Sequence, residues 1–230
     1  MKKLLKAISP PFIYDFFSKI SKKFKRNTFF YTNKVQKQDL NIYWTKNMSD
    51  QLEGWGKDHT WNKIGCLLIN CKGKVLDIVC GTCVNIMALS RFDFLDIYGF
   101  DISDHLIQIA KKKGILPDHL KIMDATKTEY LDNEFDYSYS IGSLEHFTED
   151  GINDFLKDCS RYTKYSSFHM IPVSENNLNN GWLKKDQSYY NNSVEWWLEK
   201  FQKDFKNVSV LNSGWKDLGF SLGKWFICEK

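Results

Sequence analysis

Four side chains stand where chemistry could be done: Asp77, Asp101, Asp124 and His146. Asp77 lies in Val75-Leu76-Asp77-Ile78-Val79-Cys80-Gly81-Thr82-Cys83, an apolar run that ends in a small-residue turn and opens a helical pattern. About twenty residues on, Tyr98-Gly99-Phe100-Asp101-Ile102-Ser103 is a second apolar run ending in an acid. Such a pair suits a nucleotide-like ligand at the edge of a parallel sheet. The turn lets backbone approach the ligand, and the acid accepts hydrogen bonds from ribose hydroxyls. The plainer reading of Asp101 is an acid favoured by the dipole at a helix start. Asp77, inside an apolar strand, is expected to accept from turn amides, because an unpaired charge there is costly. Asp124 reads either as a ligand contact or as a surface turn acid. His146, an imidazole titrating near neutrality, suits proton transfer, and the adjacent Glu145 suits orienting it or acting as base itself. The alternative is that His146 only closes a loop.

Cys80-Gly81-Thr82-Cys83 is also a Cys-x-x-Cys between strand and helix, the placement of a redox pair, with Pro172 imaginable opposite it. A zinc set would add Cys66 and Cys71, but no second knuckle is present. Neither reading explains the acids at Asp101 and Asp124, so no metal is expected.

Elements must position these groups. Apolar strands are predicted over 74–79, 96–101, 119–123, 135–141 and 166–172, and helices over 84–91, 104–113 and 150–160. Strands alternating with helices imply a parallel sheet with crossover helices. Ser103 and Ser193 are suited to cap helices at 104 and 194–204. Residues 42–69 carry Trp44, Leu52, Trp55, Trp61, Ile64, Leu67 and Leu68 at roughly helical period. Residues 174–192 read as a polar, Asn-rich loop. Val208-Ser209-Val210-Leu211 and Gly223 to Cys228 are joined without a helix, so they are expected to pair antiparallel.

The 230 residues suffice for one sizeable core, and an aromatic content of 16% marks a globular chain. Charge is uneven. The first 26 residues hold eight basic side chains against Asp15, a net +7 in a chain of +4, so the remainder sums to −3. A nucleic-acid groove reader needs basic residues across its binding face, and this body is slightly acidic; no nucleic-acid partner is expected. Phe12, Ile13, Phe16, Phe17 and Ile20 recur at helical spacing among those lysines. A basic amphipathic helix of this kind can lie on an anionic membrane surface or dock on its own core, the commoner outcome. Lys6 and Pro10-Pro11 interrupt what would be the apolar stretch of a signal peptide. Six cysteines without such a signal point to a reducing cytoplasm, with peripheral contact at the inner membrane face as the further expectation. No feature sets an oligomeric state.

The ordered motifs resemble the class I S-adenosylmethionine-dependent methyltransferases, in particular their small-molecule branch, over roughly residues 50–230. Val75 to Cys83 is similar to the family's glycine-rich first motif, with Val79 and Cys83 in place of two glycines. Tyr98 to Ser103 is similar to its second-strand motif, and Met123-Asp124-Ala125 to its adenine-contacting Asp-Ala pair. Phe135-Asp136-Tyr137 leads into Ser140-Ile141-Gly142-Ser143-Leu144-Glu145-His146-Phe147, similar to the loop with a histidine near the methyl-transfer site. The resemblance implies a Rossmann-like α/β fold, a seven-stranded mostly parallel sheet with an antiparallel last strand and helices on both faces. With residues 1–40 read as the basic amphipathic helix and a connector, the methyltransferase domain is expected over 41–230. Within the latter fall a helical cap (41–72), a cofactor-binding core (73–172), an acceptor region (173–207) and a terminal strand pair (208–230).

The implied cofactor is S-adenosylmethionine, held by Asp77, Val79, Cys80, Gly81, Asp101, Ile102, Asp124, Ala125, Ile141 and Gly142, with Asp77 reaching the methionine amine. The implied catalytic residues are His146 and Glu145. Tyr43, Trp55, Trp61, Tyr189 and Tyr190 are expected to form the acceptor pocket, since aromatic faces among Asn and Gln suit a polar ring. The acceptor expected is a small polar molecule, by analogy a hydroxyl of a sugar, nucleotide-sugar or glycan precursor. The alternative is a binding-only member of the fold in which Val79 and Cys83 have ended turnover.

Overall fold

The computed structural model describes residues 31–32, 36–54, 60–184, 187–217 and 219–230. The amphipathic segment over 12–25, Trp55 and the side chain of Trp61 lie outside the described residues.

A short strand β1 (Tyr31–Thr32) precedes helices α1 (Lys46–Gly54) and α2 (Thr60–Leu67). Then come β2 (Gly73–Ile78), α3 (Val84–Leu89), β3 (Leu95–Asp101), α4 (Asp104–Lys112), β4 (Leu120–Ile122), β5 (Phe135–Ile141), α5 (Glu149–Tyr162) and β6 (Thr163–Ser174). The chain continues through β7 (Trp182–Lys184), β8 (Ser188–Tyr190) and α6 (Val194–Phe201), and ends in β9 (Asn207–Asp217) and β10 (Ser221–Glu229).

Seven strands form one sheet in the order β4-β3-β2-β5-β6-β10-β9. The β2, β3, β4, β5 and β6 pairs are parallel, while β10 runs antiparallel to both β6 and β9. The order reverses direction between β2 and β5, and a ligand crevice belongs at the carboxyl ends of strands at such a switch point. Successive side chains of a strand face opposite ways. On one face Leu76, Ile78 and Phe100 pack with Phe155 and Leu156 of α5 and Trp197 and Phe201 of α6. On the other, Val75, Ile97 and Tyr139 pack with Ile64 of α2, Ile86 of α3 and Ile107 of α4. Cover on both faces is why consecutive residues such as Val75 and Leu76 are both apolar and fully buried.

The side-chain caps are where expected: Ser103 accepts from the Leu106 amide and Ser193 from the Trp196 amide. Helix α6 stops at Phe201, short of residue 204. The main departure from expectation is at 174–192. This is no simple loop, because β7 and β8 form a hairpin that pairs with β1 in a separate three-stranded antiparallel sheet. No helix among the described residues is long and apolar enough to cross a membrane.

Candidate functional site

A cavity of about 310 Å³ opens at the carboxyl ends of β2, β3 and β5, within the size range of small-molecule sites. Its floor is the β2–α3 turn. Val79, Gly81 and Cys83 all take left-handed backbone there, with φ of 58°, 56° and 60°. Glycine adopts that conformation freely, whereas a residue with a Cβ gives up about 1–2 kcal/mol. Val79 and Cys83 therefore keep the backbone of a glycine-rich turn, at the cost of local strain.

Asp101, at the end of β3, fastens the turn. Its Oδ2 accepts from the Gly81 amide at 3.0 Å and its Oδ1 from the Ser103 amide at 2.9 Å. Burial pushes its carboxyl up to about 6, opposed by the amides of Ser103, Gly81 and Ile102. Asp124 and Ala125 follow β4 and line the same cavity, as do Ile102, Leu106 and Met123. One Asp124 oxygen already accepts from the Thr126 amide and hydroxyl at 2.9 and 2.8 Å, so the turn reading and the lining reading both hold for it.

The opposite wall is built after β5. Ile141, Gly142 and Ser143 lead into a short 3-10 turn, Leu144–His146, which places Glu145 and His146 in the cavity. His146 Nδ1 lies 2.8 Å from the Ser188 carbonyl. A carbonyl only accepts, so Nδ1 carries the proton and Nε2 keeps its lone pair. Burial lowers the His146 pKa, offset by that hydrogen bond and by the charge of Asp39. Nε2 stands 3.8 Å from Glu145 Oε1, beyond hydrogen-bond reach. Burial pushes Glu145 up to about 8, so it is protonated at neutral pH.

The hairpin missed in the sequence sets this geometry. Ser188 accepts from His146 through its carbonyl, and its amide donates to Asp39 Oδ2 at 2.8 Å. Lys184 pairs with Asp39 Oδ1 at 2.5 Å. Tyr43 donates to Gln187 Oε1 at 3.1 Å, and both line the cavity with Tyr189. The remaining wall comes from β9, where a bulge sets three residues, Ser213 to Trp215, against Gly223 of β10. A Cβ on Gly223 would overlap the Ser213 hydroxyl, so glycine is required at that crossing. A bulge re-aims the residues beyond it; here Trp215 and Asp217 line the cavity.

The structure thus brings together Val79, Cys80, Gly81, Asp101, Ile102, Asp124, Ala125, Ile141, Gly142, Glu145, His146, Tyr43 and Tyr189. It does not bring Asp77 or Tyr190. Asp77 is 1% exposed on the α2–α4 face of β2, outside the lining, and the turn amides expected to bind it go elsewhere. Its Oδ2 lacks a hydrogen-bond partner, the hydroxyl of Tyr139 being the neighbour that favours the charge, and burial raises its pKa well above the carboxylate range. Tyr190 is buried against Trp182 and Trp196 and packs the core instead of the pocket. No peptide bond among the described residues is cis, Pro172 included, and the zinc set does not assemble there. Gln38, Asn85, Gln187, Trp215 and Asp217 also line the cavity and were missed in the sequence. Alternation of Ser213, Trp215 and Asp217 was a signal for the last pair.

Residues 75–166, which carry the turn, both acids and the histidine, match the family model described as a methyltransferase domain. This stretch, less than half of the chain, is similar to a methyltransferase domain. No curated protein is significantly similar to this chain in sequence. Among solved structures it is similar to the 1,6-didemethyltoxoflavin-N1-methyltransferase of Burkholderia thailandensis, solved with bound 1,6-didemethyltoxoflavin and S-adenosylhomocysteine. They share 13% identity at a TM-score of 0.65, covering 83% of this chain and 84% of that one. An S-adenosylmethionine-dependent methyltransferase of Clostridium acetobutylicum gives 15% identity and a TM-score of 0.61, covering 80% and 96%. The cyclase SpnF gives 20% and 0.53, covering 66% and 59%. At these identities the likeness is one of fold, and the fold alone does not fix the reaction.

Proposed function

We propose that the cavity binds S-adenosylmethionine and that the chain transfers its methyl group to a small polar acceptor at oxygen. The observation that carries this reading is the convergence of the Gly81 turn, Asp101, Asp124-Ala125 and His146 on one cavity at the sheet's switch point. The residues fit the cofactor. Thr82 Oγ1, Asn85 Oδ1 and Glu145 Oε2 line the cavity as buried polar atoms without a protein partner, and such atoms call for a ligand or water. Asp101 would hold the ribose hydroxyls, its carboxylate oriented by two amides. Ile102, Leu106, Met123 and Ala125 would hold the adenine ring, with Asp124 at its amino group. When bound, S-adenosylmethionine supplies a methyl group already activated on a cationic sulfur.

What is left to the protein is alignment and the removal of a proton. Holding reactants in line accounts for up to about 7–11 kcal/mol in ideal systems. His146 suits the proton transfer. Its Nδ1–H is fixed on Ser188, so Nε2 faces the acceptor with a free lone pair and takes the hydroxyl proton. Burial keeps the ring neutral, and the neighbouring Glu145, protonated at neutral pH, does not convert it to imidazolium. Tyr43, Tyr189 and Trp215 offer aromatic faces and Gln38, Gln187 and Asp217 offer polar partners, a lining suited to a sugar, nucleotide-sugar or glycan precursor. The left-handed backbone kept at Val79 and Cys83 leaves the turn shaped for the cofactor despite the two missing glycines.

Calorimetric titration with S-adenosylhomocysteine tests the proposal. Micromolar binding is expected, weakened about 10- to 100-fold by Asp101→Ala through loss of charged hydrogen bonds. Absence of binding in the reduced wild type overturns it.

A further inference from the structure

The two thiols of the turn have no part in that reaction, yet their geometry is specific. Cys80 Sγ and Cys83 Sγ lie 3.4 Å apart. The Cys83 amide donates to the Cys80 carbonyl at 2.9 Å, closing a four-residue turn. Such a turn holds its end Cα atoms within about 7 Å, the span a disulfide requires. Cys80, 5% exposed, belongs to the cavity lining, while Cys83 is fully buried, so an oxidant in the cavity meets Cys80 first. A thiol at a cavity wall with a second in contact behind it can pass from a sulfenic acid to a disulfide.

We propose that Cys80 and Cys83 are a dithiol modification site, oxidised by a peroxide to an intramolecular disulfide that closes the cofactor turn. In the first step Cys80 sulfur attacks a peroxide oxygen, the O–O bond breaks, and the products are a sulfenic acid on Cys80 and water. In the second, Cys83 sulfur displaces the sulfenic oxygen, the S–S bond forms, and the oxygen leaves with the Cys83 proton as a second water. Two thiols are oxidised and one peroxide is reduced. A small-molecule dithiol restores the pair by exchange.

The consequence for binding rests on the cofactor reading above. Drawing the sulfurs from contact to a bond of about 2 Å pulls on the backbone whose Gly81 amide is held by Asp101. Val79 and Cys83 already occupy strained left-handed conformations, so the turn has little freedom to absorb the change. Coupling is reciprocal: if the disulfide weakens the ligand, the ligand protects the dithiol. The thiolate is the reactive form, and burial holds the Cys80 thiol up, so oxidation quickens as pH rises.

The full-length reduced protein is treated with hydrogen peroxide with and without S-adenosylhomocysteine. Differential alkylation with peptide mass mapping then identifies the bond, and calorimetry follows ligand binding before oxidation, after it and after dithiothreitol. The expected result is a Cys80–Cys83 disulfide, slowed by the ligand, absent in Cys83→Ser and in Cys80→Ser. Ligand binding should weaken about tenfold or more on oxidation and recover on reduction. Peroxide that leaves both thiols free, or drives Cys80 to sulfinic acid, overturns the site. A disulfide with unchanged ligand binding overturns the switch. Failure of the reduced protein to bind the ligand overturns the cofactor reading and the switch with it, while the mass measurement still decides the dithiol site.

Discussion

His146 and His169 are both withdrawn from bulk water, and both have burial as the main influence on their pKa. His169 sits mid-strand in β6 with no exposure, Nδ1 2.8 Å from Ser140 Oγ and Nε2 2.8 Å from Ser167 Oγ. Both ring nitrogens are satisfied, and Ser138, Thr163 and Cys159 extend the network. His146 has one nitrogen fixed on Ser188 and the other facing a cavity. The residue type is the same, but one ring is a structural bridge between β5 and β6 and the other keeps a lone pair for the proposed role of base. Reactivity belongs to the unsatisfied atom.

Replacing each histidine should separate the two roles. His146→Ala is expected to lower kcat about 100- to 10,000-fold, the usual range for a general base. Affinity for S-adenosylhomocysteine should stay within a few-fold; an unchanged kcat removes His146 from the mechanism. His169→Ala should act on stability instead, by about 3 kcal/mol, since it leaves a void and strips the Ser140 hydroxyl of its partner. Chemical denaturation reads this, and turnover per folded molecule should be preserved.

Titration sharpens the contrast. Burial lowers the His169 pKa from 6.5 to about 3, so between those values the unfolded chain binds the proton and the folded chain does not. Stability therefore falls as pH drops through that window. A His169→Asn variant should show a shallower loss in acid denaturation curves. His146, neutral above its lowered pKa, should give kcat an acid limb below pH 6.5. The smallest effect is expected from Glu145→Gln. Because burial pushes Glu145 up to about 8, the amide resembles the protonated acid already present at neutral pH. The kcat at pH 7 should change less than about tenfold, and a larger loss would make Glu145 the base.

Local signals made much of the site legible. The alternating strand-helix pattern foretold the parallel sheet, and Ser103 and Ser193 cap the helices whose starts they mark. Gly81 and Asp101 were readable because a turn that must approach a ligand restricts residue choice over a few adjacent positions. The acceptor side was far less readable. The β7–β8 hairpin has three-residue strands whose partner β1 lies about 150 residues away, and such pairing leaves little periodicity behind. Asp77 and Tyr190 went the other way: each looked like a site residue by type and position, and each is turned into the core.

Strand and helix order, the turn with its acid, and the segment bearing His146 could be read from the chain alone, because each depends on residues close together in it. Which polar atoms were left without partners was settled in three dimensions. It took a bulge in β9 to aim Trp215 and Asp217 inward, a distant hairpin to fix the tautomer of His146, and a shared turn to press Cys80 on Cys83. Satisfaction of a hydrogen bond is a property of two groups in space, and spacing along the chain does not contain it.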